Sequence, residues 1–285
     1  MMVSVVITTC NRNDYLLEAL DSVYKQTLSA SEVIVIDDGN TKKEFIDNLI
    51  LKYSSIKYIK NEVPQGANYS RNLGAKEAKG QYVAFMDDDD IWQENKLEVQ
   101  VDNILKYKCD CSLVSFNYMC DGEITCRLSK CQSGIVDINS LKSGNPYCGM
   151  SGVLVTKNVM NHISFDNELP CGQDWDFYIS ILKRFSCHYD SKPLFNYRVF
   201  GQDSITKKIV DLDFDGFLKR LRSAKKHAEF MGKDNYKNRV AEQITKFFPV
   251  RRQKLKLLKY GFSEVGVWLL LRYVLKDSLK YVLKR

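Results

Sequence analysis

Four consecutive aspartates, Asp87 to Asp90, end an apolar run, Tyr82-Val83-Ala84-Phe85-Met86. A second apolar run, Val33 to Ile36, ends in Asp37-Asp38-Gly39. A third acidic segment, Gly172-Gln173-Asp174-Trp175-Asp176, lies far downstream. Carboxylates crowded into one short segment repel, and burial raises their pKa values unless a cation is near. A divalent ion resolves that conflict, because hard oxygen ligands suit Mg2+ or Mn2+. Mg2+ commonly takes one or two carboxylates and fills its shell with phosphate and water oxygens. Two acid-tipped strands side by side therefore predict a site for a metal-bound nucleotide. Four aspartates alone would read equally as a solvated turn.

These acids need a frame to hold them. Residues 3–8 (VSVVIT) and 33–36 are short, β-branched apolar runs, the pattern of buried strands. Asn13 or Asp14 can cap a helix in which Leu16, Leu17, Leu20 and Val23 recur at helical spacing. Helices are also expected over 42–52 and 68–80, with strands at Ile56–Lys60 and over 81–88. This alternation predicts an α/β fold with a mostly parallel sheet covered on both faces. In such sheets ligands bind beyond the carboxyl ends of the strands. The strand ends at Thr8–Arg12, Asp37–Asp38 and Asp87–Asp90 should therefore meet at one crevice. Past residue 110, CSLVSFNYMC and GVLVTKN predict further strands, some antiparallel. CGQDWDFYISILKRF (171–185) has helical apolar spacing, with acids at the N-terminal end that the helix dipole favours. From about 211 onward the pattern is helical.

The 285 residues, 45% apolar, suffice for one large domain or a domain with an appendage. The N-terminal apolar run has no basic segment before it and no small-residue cleavage site, which predicts a first strand and a cytoplasmic chain. Nine cysteines, an odd number, are expected as free thiols. Cys109, Cys111, Cys120, Cys126 and Cys131 lack the paired spacing of a zinc site. His162, His188 and His227 also lack ligand spacing. The net charge of +7 is concentrated, since residues 249–285 hold ten Lys/Arg against two acids. The rest of the chain is nearly neutral, so no nucleic-acid partner is expected. In residues 268–285, Trp268, Leu271, Leu275, Leu279 and Val282 recur at three- and four-residue steps. Arg272, Lys276, Lys280 and Lys284 follow every four residues on another face. This basic amphipathic helix is too polar to span a bilayer and is expected to lie on an anionic membrane surface. Packing on its own domain is the alternative.

Taken in order, VSVVITTCNR (3–12), VIVIDDG (33–39), GANYSRNLGAKEAKGQYVAFMDDDDIW (66–92) and GQDWDFYI (172–179) resemble inverting family 2 glycosyltransferases of the GT-A fold. A Tyr197-Arg198-x-Phe200-x-x-x-Ser204 pattern resembles the segment that closes that domain. The resemblance implies a Rossmann-like, mostly parallel central sheet flanked by helices, with a C-terminal helical extension. It implies a catalytic domain at 1–210, with a nucleotide part at about 1–110 and an acceptor part at about 111–210, then a helical region at 211–285. It implies a UDP-sugar donor and Mn2+ or Mg2+ as cofactor. Thr8 and Asp38 would contact uracil, with Cys10, Asn11 and Arg12 at the same strand end. Arg71 would approach the phosphates. Asp87 or Asp88 would touch the ribose or donor sugar, and Asp89 with Asp87 would hold the metal. Asp174 would be the general base. Ser151, Trp175 and Asp176 would lie near donor or acceptor, with packing for Trp175 and a helix-terminal role for Asp176 as the blander readings.

The sequence departs from the family pattern at Cys10, where an aromatic residue is common, and at Gln173, where an acid is common. Phe200 stands where a histidine is common, so no histidine metal ligand is expected there. The implied reaction transfers a hexose or N-acetylhexosamine to a lipid-linked saccharide. The implied setting is bacterial surface polysaccharide synthesis of the O-antigen or capsule type, at the inner face of the cell membrane. A catalytically silent sugar-nucleotide binding or scaffold protein would keep the fold without needing Asp174. A nucleotidyltransferase would need a glycine- and lysine-rich phosphate loop near the N-terminus, and the sequence has none.

Overall fold

The computed structural model describes residues 1–53, 56–199, 213–246 and 253–283, with side chains to residue 276. Phe200 and Ser204 of the expected closing segment lie outside the described residues, as do the side chains of Leu279, Lys280, Val282 and Lys284. The chain clusters into two compact units, one of residues 1–138, 145–167 and 174–199, the other of 139–144, 168–173 and 200–285.

In the first unit, strands and helices alternate: β1 (Val3–Thr9), α1 (Asn13–Tyr24), β2 (Glu32–Asp37), α2 (Lys43–Lys52), β3 (Ile56–Lys60), α3 (Ala67–Glu77) and β4 (Tyr82–Asp87). Every residue of β1 is buried, as is β4 up to Met86. A strand covered on both faces is mostly apolar, which explains the runs in the sequence; buried Ser4 is satisfied by donating to Glu32 at 2.5 Å. β1 pairs in parallel with β2 and β4, and β2 with β3. The register sets Thr8 beside Ile36 and Asp87, and Thr9 beside Asp37. The acid-tipped ends therefore stand level at one edge of the sheet.

The unit continues with β5 (Ile91–Trp92), α4 (Lys96–Tyr107), β6 (Cys111–Cys120), β7 (Glu123–Thr125), β8 (Gly134–Ile135), β9 (Val153–Thr156), α5 (Lys157–His162), α6 (Gln173–Leu182) and β10 (Cys187–Arg198). The sheet order is β3-β2-β1-β4-β9-β6-β10-β5. β9 runs antiparallel between β4 and β6, while β6 and β10 are parallel. The α6 helix buries Trp175, Phe177, Tyr178, Ile179 and Ile181. Phe177 stacks on Phe165 at 4.0 Å, and both meet Phe85 of β4 edge-on. This packing fixes the N-terminus of α6, where Asp174 stands.

The second unit is helical: α7 (Phe214–Arg220), α8 (Arg222–Lys226), α9 (Ala228–Met231), α10 (Lys233–Thr245), α11 (Lys254–Val265) and α12 (Val267–Leu283). Its core joins Phe217, Leu221, Val240, Ile244, Leu257, Val265 and Leu270. A Cβ on Gly261 of α11 would lie 2.6 Å from Leu270 Cδ2, so the α11–α12 contact leaves no room for a larger residue.

Here the structure corrects the expectation of a single apolar stripe standing apart from the fold. The α12 helix has two apolar faces. Leu270 is fully buried, with Leu269, Tyr273 and Val274 packed beside it. On the other face Trp268 is 86% exposed, Leu275 64% and Leu271 40%. Apolar residues at both sets of helical positions make the two stripes interleave in the sequence. No helix among the described residues is long and apolar enough to cross a membrane.

Candidate active site

Three strand ends meet through short hydrogen bonds. The Asp38 amide donates to Thr9 O at 2.9 Å, which joins the end of β2 to β1. Thr9 Oγ1 donates to Asp88 Oδ2 at 2.7 Å, which joins β1 to the aspartate turn. Asn11 takes a left-handed backbone with φ of 57°, a conformation asparagine tolerates. Its Oδ1 accepts from the Asn40 amide at 2.7 Å. Position 39 must be glycine, because a Cβ there would sit 2.6 Å from Asn11 Oδ1. Cys10, Asn11, Asp38, Gly39, Asn40, Lys60 and Asn61 line a cleft of about 440 Å³. Thr8 is buried at the foot of this strand end.

Asp38 is not an open acceptor. It takes the Asn61 Nδ2, Gln65 amide and Gly66 amide, each at 2.7 Å. A carboxylate offers about four acceptor positions, so about one remains for a ligand. Asp37 is fully buried and holds the Gly39 amide and the Tyr58 hydroxyl, a structural role.

The four aspartates of the turn differ in their surroundings. Asp87 pairs with Arg71 at 2.7 Å, and Arg71 is nearly buried. Asp88 is buried, and burial pushes its carboxyl up to about 6 against the pull of the Thr9 hydrogen bond. Asp89 pairs with Arg12 at 2.5 Å, yet burial and the charge of Asp87 still raise its pKa. Asp90 is buried and raised further, by burial first and then by the charges of Asp89 and Asp87. Arg12 and Arg71 thus face acids in this structure and do not line the cleft. Two arginines, Arg12 facing Asp88 and Asp89 and Arg71 facing Asp87, do not balance four carboxylates, so a further cation suits the turn. The donor set fits a hard divalent ion: Asp87 and Asp89 are the two least buried carboxylates of the four. Among the described residues no group of three or more His, Cys, Asp or Glu side chains is placed to hold a metal ion by itself.

Asp174 stands in the first turn of α6. Asn145 Nδ2 donates to its Oδ2 at 2.6 Å. The amide of Asn145 is itself oriented, since Oδ1 accepts from the Tyr147 amide at 3.0 Å and Nδ2 also donates to Cys148 O at 2.7 Å. Burial raises the Asp174 pKa, and the Asn145 hydrogen bond opposes that rise. A base works when deprotonated, so the acid limb of any Asp174-dependent rate should lie above the usual carboxylate range. Asn145→Ala removes a bond that favours the charged form. It should move that limb to higher pH, and a pH–rate profile checks the shift.

Ser151 accepts from the Asp87 amide at 3.0 Å and is buried, so it supports the acid turn from beneath. Trp175 and Asp176 are each 2% exposed and belong to the core face of α6. The structure thus places these three in packing and support, not at an open contact surface.

Arg198 was not among the expected site residues. Its Nε donates to Asp89 O at 2.9 Å, its backbone amide to Asp90 at 3.1 Å, and its Nη2 to Glu18 at 2.5 Å. It clamps the acid turn to α1. The signal was available in the Tyr197-Arg198 pair. Asn145 lies in an irregular loop and carries no periodic signal.

A model of glycosyl transferase family 2 matches residues 4–157. WfgD of Escherichia coli, described as a UDP-Glc:alpha-D-GlcNAc-diphosphoundecaprenol beta-1,3-glucosyltransferase, is 30% identical over 182 residues, which is 64% of this chain and 70% of that protein. An uncharacterized glycosyltransferase of Rickettsia felis is 29% identical over 216 residues, covering 73% of this chain. The chain spans only 36% of that relative's length. S. aureus TarS 1–349 in complex with UDP-GlcNAc has the same GT-A fold, with a TM-score of 0.62 over 100% of this chain and 93% of that one, at 18% identity. A family match across more than half the chain, laid over the sheet whose strand ends carry the acids, means that this chain belongs to glycosyl transferase family 2.

Proposed function

We propose that the protein is a metal-dependent, inverting glycosyltransferase. It moves a hexose or N-acetylhexosamine from a UDP-sugar to a lipid-linked saccharide in bacterial surface polysaccharide synthesis. One observation supports this reading: Phe177, in the helix whose first turn holds Asp174, meets Phe85 of β4 edge-on with ring centres 6.1 Å apart, and β4 ends in Asp87. In this reading the carboxylate of Asp174 and the acid turn act on one anomeric carbon. The names of two similar proteins support the substrates, a UDP-glucose donor with a lipid diphosphate acceptor for WfgD and UDP-GlcNAc for TarS.

In this reading UDP lies in the cleft beside Asp38. Asp87 and Asp89 would hold Mn2+ or Mg2+, which when bound stabilises charge on the leaving diphosphate. The Asp174 oxygen not engaged by Asn145 takes the proton from the acceptor hydroxyl as that hydroxyl attacks. Attack from the face opposite the diphosphate inverts the anomeric centre. NMR of the product formed from α-linked UDP-glucose or UDP-GlcNAc tests this: a β-linkage is expected, and an α-linkage rejects inversion.

The proposed location is the cytoplasmic face of the membrane. Support comes from α12, where exposed Trp268, Leu271 and Leu275 alternate with exposed Arg272 and Lys276. Each basic residue near an anionic surface contributes about 1 kcal/mol. Because Leu270 belongs to the core, the test uses point variants and not truncation. Changing Trp268, Leu271 and Leu275 together to serine should cut sedimentation with phosphatidylglycerol-rich vesicles severalfold and leave UDP affinity unchanged. Undiminished sedimentation would remove this face as the contact.

A further inference from the structure

The β6 and β10 strands pair in parallel, with Phe116 opposite Phe195 and Tyr118 opposite Tyr197. Side chains two apart on a strand share a face, so these four rings form one aromatic patch. Its exposure rises toward the strand ends: Phe195 is fully buried and Phe116 partly so, whereas Tyr118 is 40% exposed and Tyr197 41%. Phe116 is the footing. Its ring lies 5.4 Å from Tyr118, 5.6 Å from Tyr197 and 5.3 Å from Phe195. Two tyrosine rings are thus held firmly at an open rim.

The rim is tied to both halves of the candidate active site. On one side, Tyr197 precedes Arg198, which bonds the Asp89 carbonyl and the Asp90 carboxylate. On the other side, the Arg127 guanidinium lies 4.2 Å from the Phe116 ring centre and donates to Pro146 O and Tyr147 O. That short segment starts at Asn145, which holds Asp174. Burial, with the charges of Asp90, Asp89, Asp87 and Asp174, pushes the Tyr197 hydroxyl up to about 12. The hydroxyl therefore remains a neutral donor.

We propose that Tyr118 and Tyr197 form a stacking shelf for a pyranose ring of the acceptor saccharide, beside Asp174. A pyranose has apolar C–H faces and a hydroxyl edge. Rigid rings carrying polar tips suit both. The nucleotide cannot be the occupant, because its cleft lies at β1 and β2. The shelf stands on β6 and β10, and β6 is three strands from β1 in the sheet, about 14 Å at the usual strand spacing. A UDP-sugar reaching from Asp38 to the acid turn leaves the shelf beyond the anomeric carbon, on the acceptor's side.

This inference rests on the glycosyltransferase reading, and the experiment separates the two. The probe is α-GlcNAc-diphosphate carrying a short alkyl chain, with UDP-glucose and UDP-GlcNAc as donors. Tyr118→Ala and Tyr197→Ala should each raise the acceptor KM about tenfold, the scale of one aromatic contact. UDP affinity and the slow hydrolysis of the donor by water should stay within about twofold of wild type, and the Tyr→Phe variants should recover most of the acceptor KM. An unchanged acceptor KM in both alanine variants overturns the shelf and leaves the enzyme reading standing. Loss of UDP binding in them also overturns it, because the rings would then only hold the fold. No transfer to this acceptor by the wild-type protein overturns the lipid-linked acceptor reading and the shelf together.

Discussion

Asp174→Asn lowers transfer by at least about a hundredfold, the usual scale of a general base, and leaves UDP affinity within about twofold of wild type. Asparagine keeps the size of the side chain and an oxygen that can accept from Asn145, which now donates to Asp174 at 2.6 Å. The first turn of α6 and the core beneath it, from Trp175 to Ile181, should stay in place. What is lost is the basic oxygen. The loss should therefore fall on kcat, with the donor KM unchanged. Calorimetry with UDP and a thermal melt separate this outcome from misfolding. Near-normal turnover in a well-folded variant removes Asp174 as the base.

Asp89→Ala should abolish the metal dependence of UDP binding, weakening affinity in Mn2+ by at least about tenfold. Asp89 is one of the two least buried carboxylates of the turn. The substitution should not unfold the turn. The charge of Asp89 raises the pKa values of Asp88 and Asp90, so removing it relieves repulsion among buried acids. Asp88→Ala is the contrast, since Asp88 is buried and bonded to Thr9 and Arg12. Its loss should lower thermal stability along with UDP affinity. Calorimetric titration of UDP with and without Mn2+, beside a melt of each variant, distinguishes them. Unchanged metal-dependent affinity in Asp89→Ala would take Asp89 out of the site.

The parallel half of the fold was legible because its strands are buried on both faces. Val5–Ile7, Val33–Ile36 and Tyr82–Met86 are apolar without interruption, and each then breaks into polar residues where the crevice begins. The sequence could not say which acids are open. Asp37, Asp88 and Asp90 are spent on the frame, and that depends on partners as distant as Tyr58, Thr9 and Arg198. Asn145 reaches Asp174 across an irregular loop, where no spacing rule applies. The aromatic shelf was hidden for a related reason. Tyr118 and Tyr197 become neighbours only through the pairing of β6 with β10, and that register shifts around Pro193. In α12, Leu270 and Leu271 are adjacent in sequence yet point one to the core and one outward, because packing against Gly261 chose the face.

The central claim is that this chain cleaves a UDP-sugar at a metal-assisted acid turn with Asp174 as base. UDP release from a panel of UDP-sugars, in the presence of a GlcNAc-diphosphate acceptor and with or without Mn2+, measures it in one assay. The wild-type protein should release UDP from at least one donor, only with the metal, and Asp174→Asn should fall to about a hundredth of that rate. Saturable UDP binding with no release above background from any donor would contradict the claim and leave a sugar-nucleotide-binding protein without transferase activity.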